Sequence, residues 1–541
     1  MAVLRSLFAR ERIPLGAKVT RNFVFNAGRS IILAPLPFLV IPYFLKKLGP
    51  VGYGTWAVLV AVSGITSLAD FGLVTSVSKH VAQYYALKDF RALSQLINTG
   101  LALYFVIACA SAGILFAGAR TLLSVLFRNN PLPPAMLMVL WQFLILLVFA
   151  NILTLLLSSI VVGLQRMDLS TGISSLNLVL SAGLSVMFLR ADLGLKGILY
   201  GYVSAAWVAT LAYAYVVRRL LPKVEFKLAN CSWRVAKGVL GFSVKAYVTQ
   251  VAVAIHNQIE KFYLASFVGV VSVGWYEISS DLALKLRTIP SLVLAPVMPA
   301  ASELDARNDG QRMKELYMSA HKYLAFIGIP VVVYVALVAK RFVSLWVGPA
   351  YAFIAVPFCV LLAVNFVNLM TGPGFLIMVG RGKLRAGLNS AIAGIVLNLT
   401  LSLVLIRWYG FPGAVIGTSI SLGLASALFL VEYQLETKSP LWDLMRTAYF
   451  KPIVSALLVF AGLRVIARLV ANTWVALFAG ALIFGGIYFI LLLLLRFFDS
   501  VDLSVVERVI RLPSFVRRIV PNAELGRPLL SNRPSAQAPS E

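Results

Sequence analysis

The ionisable side chains most able to bind an ion or a ligand lie in the range 245–288, inside two segments that are otherwise apolar enough to cross a membrane. On an α-helix, at about 100° per residue, Lys245, His256 and Glu260 fall on one face of the first segment. An ionisable group at the bilayer centre costs about 2.5–3.5 kcal/mol, so a cluster of them has to be paired, hydrated or used. We therefore expect the two segments to form the floor of a polar cavity.

The second segment carries a matching set of charges. Glu277, Asp281 and Lys285 share one helical face. At a rise of about 1.5 Å per residue, Glu260 and Asp281 each lie about 10 Å from the outer end of their helix. Opposite charges on the two helices are therefore expected at similar heights.

Two interpretations of these charges stay open. In the first they neutralise one another as internal ion pairs: Glu260 with Lys261 or Lys285, and Asp281 with Lys245 or His256. In the second, an acid binds a proton or a cation beside groups that contact an anionic cargo. The candidate cargo contacts are Arg29, Lys245, His256, Lys261, Lys285 and Arg287. The candidate ion-coupling or ion-pairing acids are Asp70, Glu260, Glu277 and Asp281.

The first half of the chain holds a smaller group of the same kind. Arg29 follows Asn22 and Asn26 at helical spacing, about 10 Å above the inner end of the first apolar segment. Asp70 lies near the inner end of the second segment. An ion pair between Arg29 and Asp70 and a ligand role for Arg29 both fit this pattern.

The composition identifies the class of protein. The 541 residues are 60% hydrophobic and 13% charged, with a mean hydropathy of +0.88, which is typical of a polytopic membrane protein. The net charge of +27 fits the positive-inside rule, attraction to anionic lipid, or an anionic cargo. The three cysteines are isolated, and no metal-ligand cluster, cofactor motif or nucleotide-binding loop is present, so no metal, cofactor or nucleic-acid partner is predicted.

Apolar runs of about 20 residues predict about fourteen transmembrane helices in an all-α fold. Lys and Arg concentrate in alternate loops, which places both termini in the cytoplasm of a multi-pass protein of the cell (inner) membrane. The predicted regions are a basic N-terminus (1–21), two six-helix bundles (22–217 and 239–431) joined by a linker (218–238), two further helices (450–495), and an amphipathic segment with a polar tail (496–541).

An internal repeat relates the two bundles. Phe149, Asn151, Thr154 and Gly163 recur 217 positions later as Phe366, Asn368, Thr371 and Gly380. Gly194, Gly197 and Gly201 recur 216 positions later as Gly410, Gly413 and Gly417. The offset predicts two bundles in the same orientation, as in transporters built from parallel repeats.

Catalysis finds no support in the residue pattern. No Ser/His/Asp arrangement or HExxH motif occurs, and the outward loops are short. His321, in the polar stretch 301–322, is expected to be solvated or interfacial. The chain is therefore predicted to be a transporter. The alternatives are a cation-coupled multidrug exporter and, less favoured, a membrane glycosyl polymerase.

Several short motifs resemble the polysaccharide transporters known as Wzx-type O-unit flippases, of the multidrug/oligosaccharidyl-lipid/polysaccharide exporter superfamily. They are NFVFNAGR (Asn22–Arg29), LGPVGYGTW (Leu48–Trp56), LADFGL (Leu68–Leu73), IEKFY (Ile259–Tyr263), VGVVSVGWY (Val268–Tyr276) and PVMPAASEL (Pro296–Leu304).

This resemblance implies a V-shaped pair of six-helix bundles that works by alternating access. It also implies a cargo, an oligosaccharide on a polyprenyl pyrophosphate, moved to the outer leaflet by an ion gradient. Cationic cavity residues of such proteins are thought to meet the pyrophosphate and acidic sugars. A polysaccharide polymerase, glycosyltransferases and membrane lipids are the implied partners.

Overall fold

A computed structural model shows how these elements are arranged. It describes residues 33, 35–65, 68, 70, 72–128, 130–225, 227, 230–437, 441–467 and 473–498, with backbone only for 239–250, 252 and 253. All regular secondary structure in these ranges is helical. The all-α prediction is confirmed.

The first half contains seven helices: α1 Pro35–Ile65, α2 Leu73–Ala86, α3 Phe90–Ala117, α4 Ala119–Leu126, α5 Pro134–Gly163, α6 Met167–Arg190 and α7 Gly194–Leu220. α1 consists of two stretches joined at Gly49, whose φ of 68° gives the sharp turn that glycine tolerates best. α5 and α7 pack against each other at the centre, with α3 and α2 against α5 and α6 against α7.

The second half continues with α8 Trp233–Phe267, α9 Val270–Ser291, α10 Val297–Ala306, α11 Gly310–Trp346, α12 Ala355–Leu369, α13 Gly372–Gly380, α14 Arg385–Tyr409 and α15 Phe411–Thr437. The chain then forms α16 Leu441–Leu444, a π-helical turn Met445–Tyr449, α17 Phe450–Ala467 and α18 Trp474–Leu494. α14 packs against α15 and α8, and α12 packs against α15.

Eleven helical segments of the described chain are long and apolar enough to cross a membrane. The other three predicted spans fall on the two stretches of α1 and on helix α8, which are not among these eleven. The helix of the second predicted span ends at Ile65, and a further helix, α2, runs from Leu73 to Ala86, so Asp70 lies between the two.

The repeat is visible as matching contacts in the two halves. A Cβ atom added to Gly201 would lie 2.6 Å from the backbone nitrogen of Ser185, and one added to Gly417 would lie 2.8 Å from Ser402 Oγ. Ser185 and Ser402 are themselves 217 positions apart. The same pair of helices therefore approaches closely at the same place in each half.

The linker between the halves is fixed to α3. The carbonyl oxygen of Glu225 accepts hydrogen bonds from Ser94 Oγ (2.9 Å) and Asn98 Nδ2 (2.6 Å). Further along, Thr99 Oγ1 accepts a hydrogen bond from the backbone nitrogen of Ser232 (3.0 Å). The described part of the linker is thus held by side chains of the first half.

Contacts divide the described chain into two compact units, one from Met1–Thr288 and Ala339–Thr437 and the other from Ile289–Val338 and Lys438–Glu541. In the second unit His321 is fully buried, with its Nδ1 atom 2.7 Å from the hydroxyl oxygen of Tyr449. The prediction of a solvated His321 is therefore wrong. The predicted domain boundaries, 22–217 and 239–431 among them, stay predictions.

Candidate functional site

The paired polar segments of the sequence are α8 and α9, which run antiparallel on either side of Gly269. The Lys261 ammonium contacts the Glu277 carboxylate across this pair, and Lys261 is only 7% exposed. The contact confirms that opposite charges on the two helices lie at similar heights. It also neutralises Lys261, because a buried ammonium with a carboxylate in contact has its counter-ion in place.

A second ion pair lies on α9 alone. Lys285 contacts Asp281 one helical turn away, and about a third of each side chain is exposed. Separation by four residues brings side chains together on one helical face. The predicted pairing of Asp281 with Lys245 or His256 is therefore wrong for His256, and the Lys245 side chain is outside the described part.

Glu260 has amide and hydroxyl partners where a cation was predicted. Its Oε1 accepts hydrogen bonds from Asn398 Nδ2 (2.6 Å) and Thr418 Oγ1 (2.7 Å). The side chain is fully buried, and neither Glu260 Oε2 nor Asn398 Oδ1 has a hydrogen-bond partner in the part of the chain that the structure describes. The expected ion pair of Glu260 with Lys261 or Lys285 is wrong, since both lysines contact other carboxylates.

Glu260 Oε2 and Asn398 Oδ1 are two buried acceptors for which the described residues supply no donor. Buried polar atoms in folded proteins nearly always have a partner, so each exception calls for an explanation. A proton or a small cation would satisfy acceptors of this kind, since oxygen ligands suit hard cations. Nowhere in the described ranges do three His, Cys, Asp or Glu side chains gather as a metal cluster.

Arg287 is the cation with the most distinctive surroundings. Its guanidinium donates to Asn365 Oδ1 (3.3 Å) and to Asn368 Oδ1 (2.9 Å). Asn368 is itself oriented by a hydrogen bond from its Nδ2 to Ser426 Oγ (3.1 Å). No described carboxylate forms an ion pair with Arg287, so the amides position the guanidinium and leave its charge uncompensated.

Arg287 and Glu260 lie at different heights along the α8–α9 pair. By helical rise, Glu260 is about 10 Å from the Gly269 end of α8 and Arg287 about 25 Å from the Gly269 end of α9. His256 lies on α8 within electrostatic range of both. The guanidinium of Arg287 and the acceptor oxygens at Glu260 are therefore separate features.

Asp70, in the first half, is hydrogen-bonded to its protein neighbours. Its carboxylate accepts a hydrogen bond from the backbone nitrogen of Val74 (3.2 Å) and contacts the hydroxyl of Tyr104. A carboxylate at this place satisfies a free N–H group in the first turn of α2. Arg29, its predicted partner, lies outside the described residues.

The first half also contains a cavity that the sequence did not predict. It measures about 400 Å³ and is lined by turns of α1, α5, α6 and α7. The polar and aromatic residues that line it are Trp56, Ser63, Asn151, Ser174, Asn177, Ser181 and Tyr202. Ser174, Asn177 and Ser181 follow helical spacing on α6, which was the one sequence signal that pointed to it.

This cavity is the counterpart of the Glu260 site. Ser181 and Asn398 are 217 positions apart, and Tyr202 and Thr418 are 216 apart, which are the offsets of the repeat. The Trp56 ring packs on Tyr202 (4.5 Å between centroids), and the hydroxyl of Tyr276 on α9 lies 2.9 Å from Thr418 Oγ1. A cavity in one half thus takes the place of a carboxylate in the other.

The sequence matches a known protein family. Residues 19–304 match the family described as polysaccharide biosynthesis protein. The chain belongs to the polysaccharide biosynthesis protein family. This confirms the resemblance noted in the motifs, and it covers more than half of the chain.

Two relatives match most of this family member's length. A Shigella flexneri protein described as an O-antigen transporter is 21% identical over 413 residues, covering 76% of the chain and 96% of that protein. A Haloferax volcanii protein described as a flippase of low-salt glycan biosynthesis is 20% identical over 412 residues, covering 74% of the chain and 80% of that protein.

Two solved structures share the fold. The lipid II flippase MurJ, in an inward closed conformation, superposes with a TM-score of 0.65 at 14% identity, covering 88% of the chain and 99% of MurJ. An inward-facing multidrug resistance MATE family transporter of the MOP superfamily superposes with a TM-score of 0.64 at 16% identity, covering 76% and 96%. The predicted all-α transporter-like fold class is confirmed.

Proposed function

We propose that this protein is a flippase. It moves an oligosaccharide linked to a polyprenyl pyrophosphate from the inner to the outer leaflet of the cytoplasmic membrane by alternating access. The oligosaccharide would be a repeat unit of O-antigen, capsule or exopolysaccharide. Both termini would lie in the cytoplasm, and the partners would be glycosyltransferases that build the repeat unit and a polymerase that joins it.

The observation that carries this proposal is the uncompensated charge of Arg287. A guanidinium presents several N–H donors in a fixed plane and binds phosphate oxygens with paired hydrogen bonds. Asn365 and Asn368 orient it without neutralising it. A cationic drug would be repelled at this place, whereas a pyrophosphate would gain both charge compensation and hydrogen bonds.

Family and relatives agree with this choice of cargo. The chain belongs to a polysaccharide biosynthesis family, and the names of both relatives refer to transport or flipping of glycans. The other candidate cargo contacts have different roles in this proposal. Lys261 and Lys285 are each paired with a carboxylate and would join the cargo site only when those ion pairs open. Arg29, Lys245 and His256 stay proposed contacts.

We assign ion coupling to Glu260. Its free Oε2 oxygen and the free Asn398 Oδ1 would bind a proton or a monovalent cation. Binding would neutralise a carboxylate buried inside the bundle, where an uncompensated charge is costly. Release to the other side of the membrane would restore the charge, so the energy of the site depends on the ion gradient. The acids in ion pairs, Glu277 and Asp281, and the helix-capping Asp70 are secondary candidates.

Purified protein in liposomes tests the cargo. The probe is a polyprenyl pyrophosphate carrying a short oligosaccharide, and its transfer between leaflets is read by the access of an external enzyme to the sugar. Loss of a hydrogen bond to a charged group costs about 1.5–3 kcal/mol, so Arg287→Gln should slow transfer about ten- to a hundredfold. Arg166→Gln is the matched control, because Arg166 already pairs with Asp168 at 3.0 Å.

A transfer rate that is the same for Arg287→Gln and the wild type would remove Arg287 from the cargo site. Efflux of a cationic dye without any transfer of the lipid would show that the protein is a multidrug exporter instead.

The coupling role of Glu260 has its own test. Glu260→Gln keeps the shape of the side chain and makes it permanently neutral. We expect transfer by this variant to lose its response to an imposed proton or sodium gradient, while the wild type keeps it. Equal gradient responses of the two proteins would contradict the assignment.

A further inference from the structure

The cavity of the first half has a lining that is polar but free of net charge. Among the described residues that line it there is no Asp, Glu, His, Lys or Arg. Its polar groups are amides, hydroxyls and an indole, and its volume of about 400 Å³ falls within the range of ligand sites. Such a lining neither attracts nor repels a charged molecule strongly, so its ligand is expected to be neutral.

Several of these polar groups have no partner in the described protein. The Asn177 amide, the Tyr202 hydroxyl and the Trp56 indole N–H form no hydrogen bond with another described residue, and all three border the cavity. Polar groups inside a helical bundle of a membrane protein are costly unless they are hydrogen-bonded. Together they offer donors and acceptors to a molecule inside the cavity.

The aromatic residues add a second kind of contact. The Trp56 and Tyr202 rings lie 4.5 Å apart at an interplanar angle of 57°, so they present two apolar faces set at an angle. An aromatic ring with a polar edge suits a ligand that has an apolar face and a hydrogen-bonding edge. A sugar ring has this character, since its C–H groups form apolar patches while its hydroxyls project from the rim.

The position of the cavity relates it to the anion site. Tyr202 lies within electrostatic range of Asp281 on α9, and Asp281 is six residues from Arg287, or about 9 Å along the helix. A saccharide attached to a pyrophosphate at Arg287 would therefore extend along α9, past Asp281, toward Tyr202.

We propose that this cavity is a binding site for uncharged sugar residues of the transported oligosaccharide. Asn177 and Tyr202 hydrogen-bond sugar hydroxyls or acetamido groups, and Trp56 packs against a sugar face. This inference rests on the proposed flippase function and deepens it. The second half holds the pyrophosphate through Arg287, and the first half selects the sugar.

Two lipid probes separate the sugar site from the anion site. One is a polyprenyl pyrophosphate carrying a neutral tetrasaccharide of hexoses and N-acetylhexosamines, and the other carries a single hexose. Transfer in liposomes is measured for the wild type, Asn177→Leu and Tyr202→Phe. Leu176→Ala is the control, because Leu176 is adjacent on α6 but is 45% exposed and does not line the cavity.

We expect Asn177→Leu to slow transfer of the tetrasaccharide lipid at least fivefold and Tyr202→Phe about threefold, with the single-hexose lipid changed by less than twofold in both variants. Leu176→Ala should change neither probe. If Asn177→Leu cannot be purified in folded form, Tyr202→Phe carries the test alone, since it removes only a hydroxyl without a hydrogen-bond partner among the described residues.

The outcomes distinguish the two proposals. Wild-type protein that transfers neither probe overturns the flippase function, and the sugar site with it. Wild-type protein that transfers both probes, with variants that slow both equally or neither, leaves the flippase function standing and overturns the sugar site.

Discussion

In the first half of the chain Ser181 and Tyr202 border a cavity without charge, whereas in the second half the equivalent Asn398 and Thr418 surround the Glu260 carboxylate. The backbone geometry around the two places is alike, as the close approaches at Gly201 and Gly417 show. The difference therefore lies in the side chains. A repeated fold can keep its helix packing while its two copies take up different chemistry.

The repeat-equivalent asparagines sharpen the same contrast. Asn151 lines the uncharged cavity, with its Nδ2 atom 3.4 Å from Ser63 Oγ. Asn368, 217 positions later, accepts a hydrogen bond from Arg287. The same amide thus serves a neutral site in one half and orients a cation in the other.

The largest expected effect comes from replacing Asn368 by aspartate, with the same replacement at Asn151 as the comparison. Asn368→Asp would place a carboxylate beside Arg287 and neutralise it, so transfer of a single-hexose pyrophosphate lipid should fall at least tenfold in the liposome assay, a change of about 1.4 kcal/mol. Asn151→Asp should leave transfer of this probe within twofold of the wild type. Equal losses in the two variants would mean that the two halves do not differ in their cargo contacts.

Added methyl groups test whether the helix packing is the same in both halves. Gly201→Ala would press a Cβ atom against the backbone of Ser185, and Gly417→Ala would meet Ser402 first at its hydroxyl, which can move. Overpacking costs about 1–3 kcal/mol. We expect both variants to unfold at a lower temperature, Gly201→Ala more so. A variant with unchanged thermal stability would show that its half is loosely packed.

The smallest effect is expected for Tyr202, in a comparison of single hydroxyls at the equivalent positions Thr418 and Tyr202. Thr418→Val would remove one donor from Glu260 Oε1 and leave Tyr276 without its partner, which should cost about 1–3 kcal/mol. Tyr202→Phe should change the free energy of unfolding by less than about 0.5 kcal/mol, because that hydroxyl has no partner among the described residues. Denaturant unfolding in detergent measures both. A costlier Tyr202→Phe would contradict an open cavity.

Much of the fold could be predicted from the sequence, because its signals are local. Each span of about 20 apolar residues has to form a helix in a membrane to satisfy its own backbone. The repeat was visible in spaced residues such as Asn151 and Asn368. The polar faces of α8 and α9 followed from helical periodicity, and the contact of Lys261 with Glu277 agrees with their matching depths.

The partners of the charged groups could not be predicted in the same way. Glu260 is paired with Asn398 and Thr418, which lie 138 and 158 positions away in the chain. His321 is buried against Tyr449, 128 positions away. Helical periodicity gives the face of a residue but not the rotation of the neighbouring helix, so these pairings depend on tertiary packing. The sequence predicts the cavity even less well, because its shape depends on how four separate helices pack around an open space.

The central claim is that Arg287 forms an anion site because its partners are neutral amides. It is tested most directly by the dissociation constants of a short-chain prenyl pyrophosphate and of the corresponding prenyl alcohol, measured for the protein in lipid nanodiscs. We predict that the wild type binds the pyrophosphate at least tenfold more tightly than the alcohol, and that Arg287→Gln binds the two equally. An unchanged preference for the pyrophosphate in Arg287→Gln would contradict the claim.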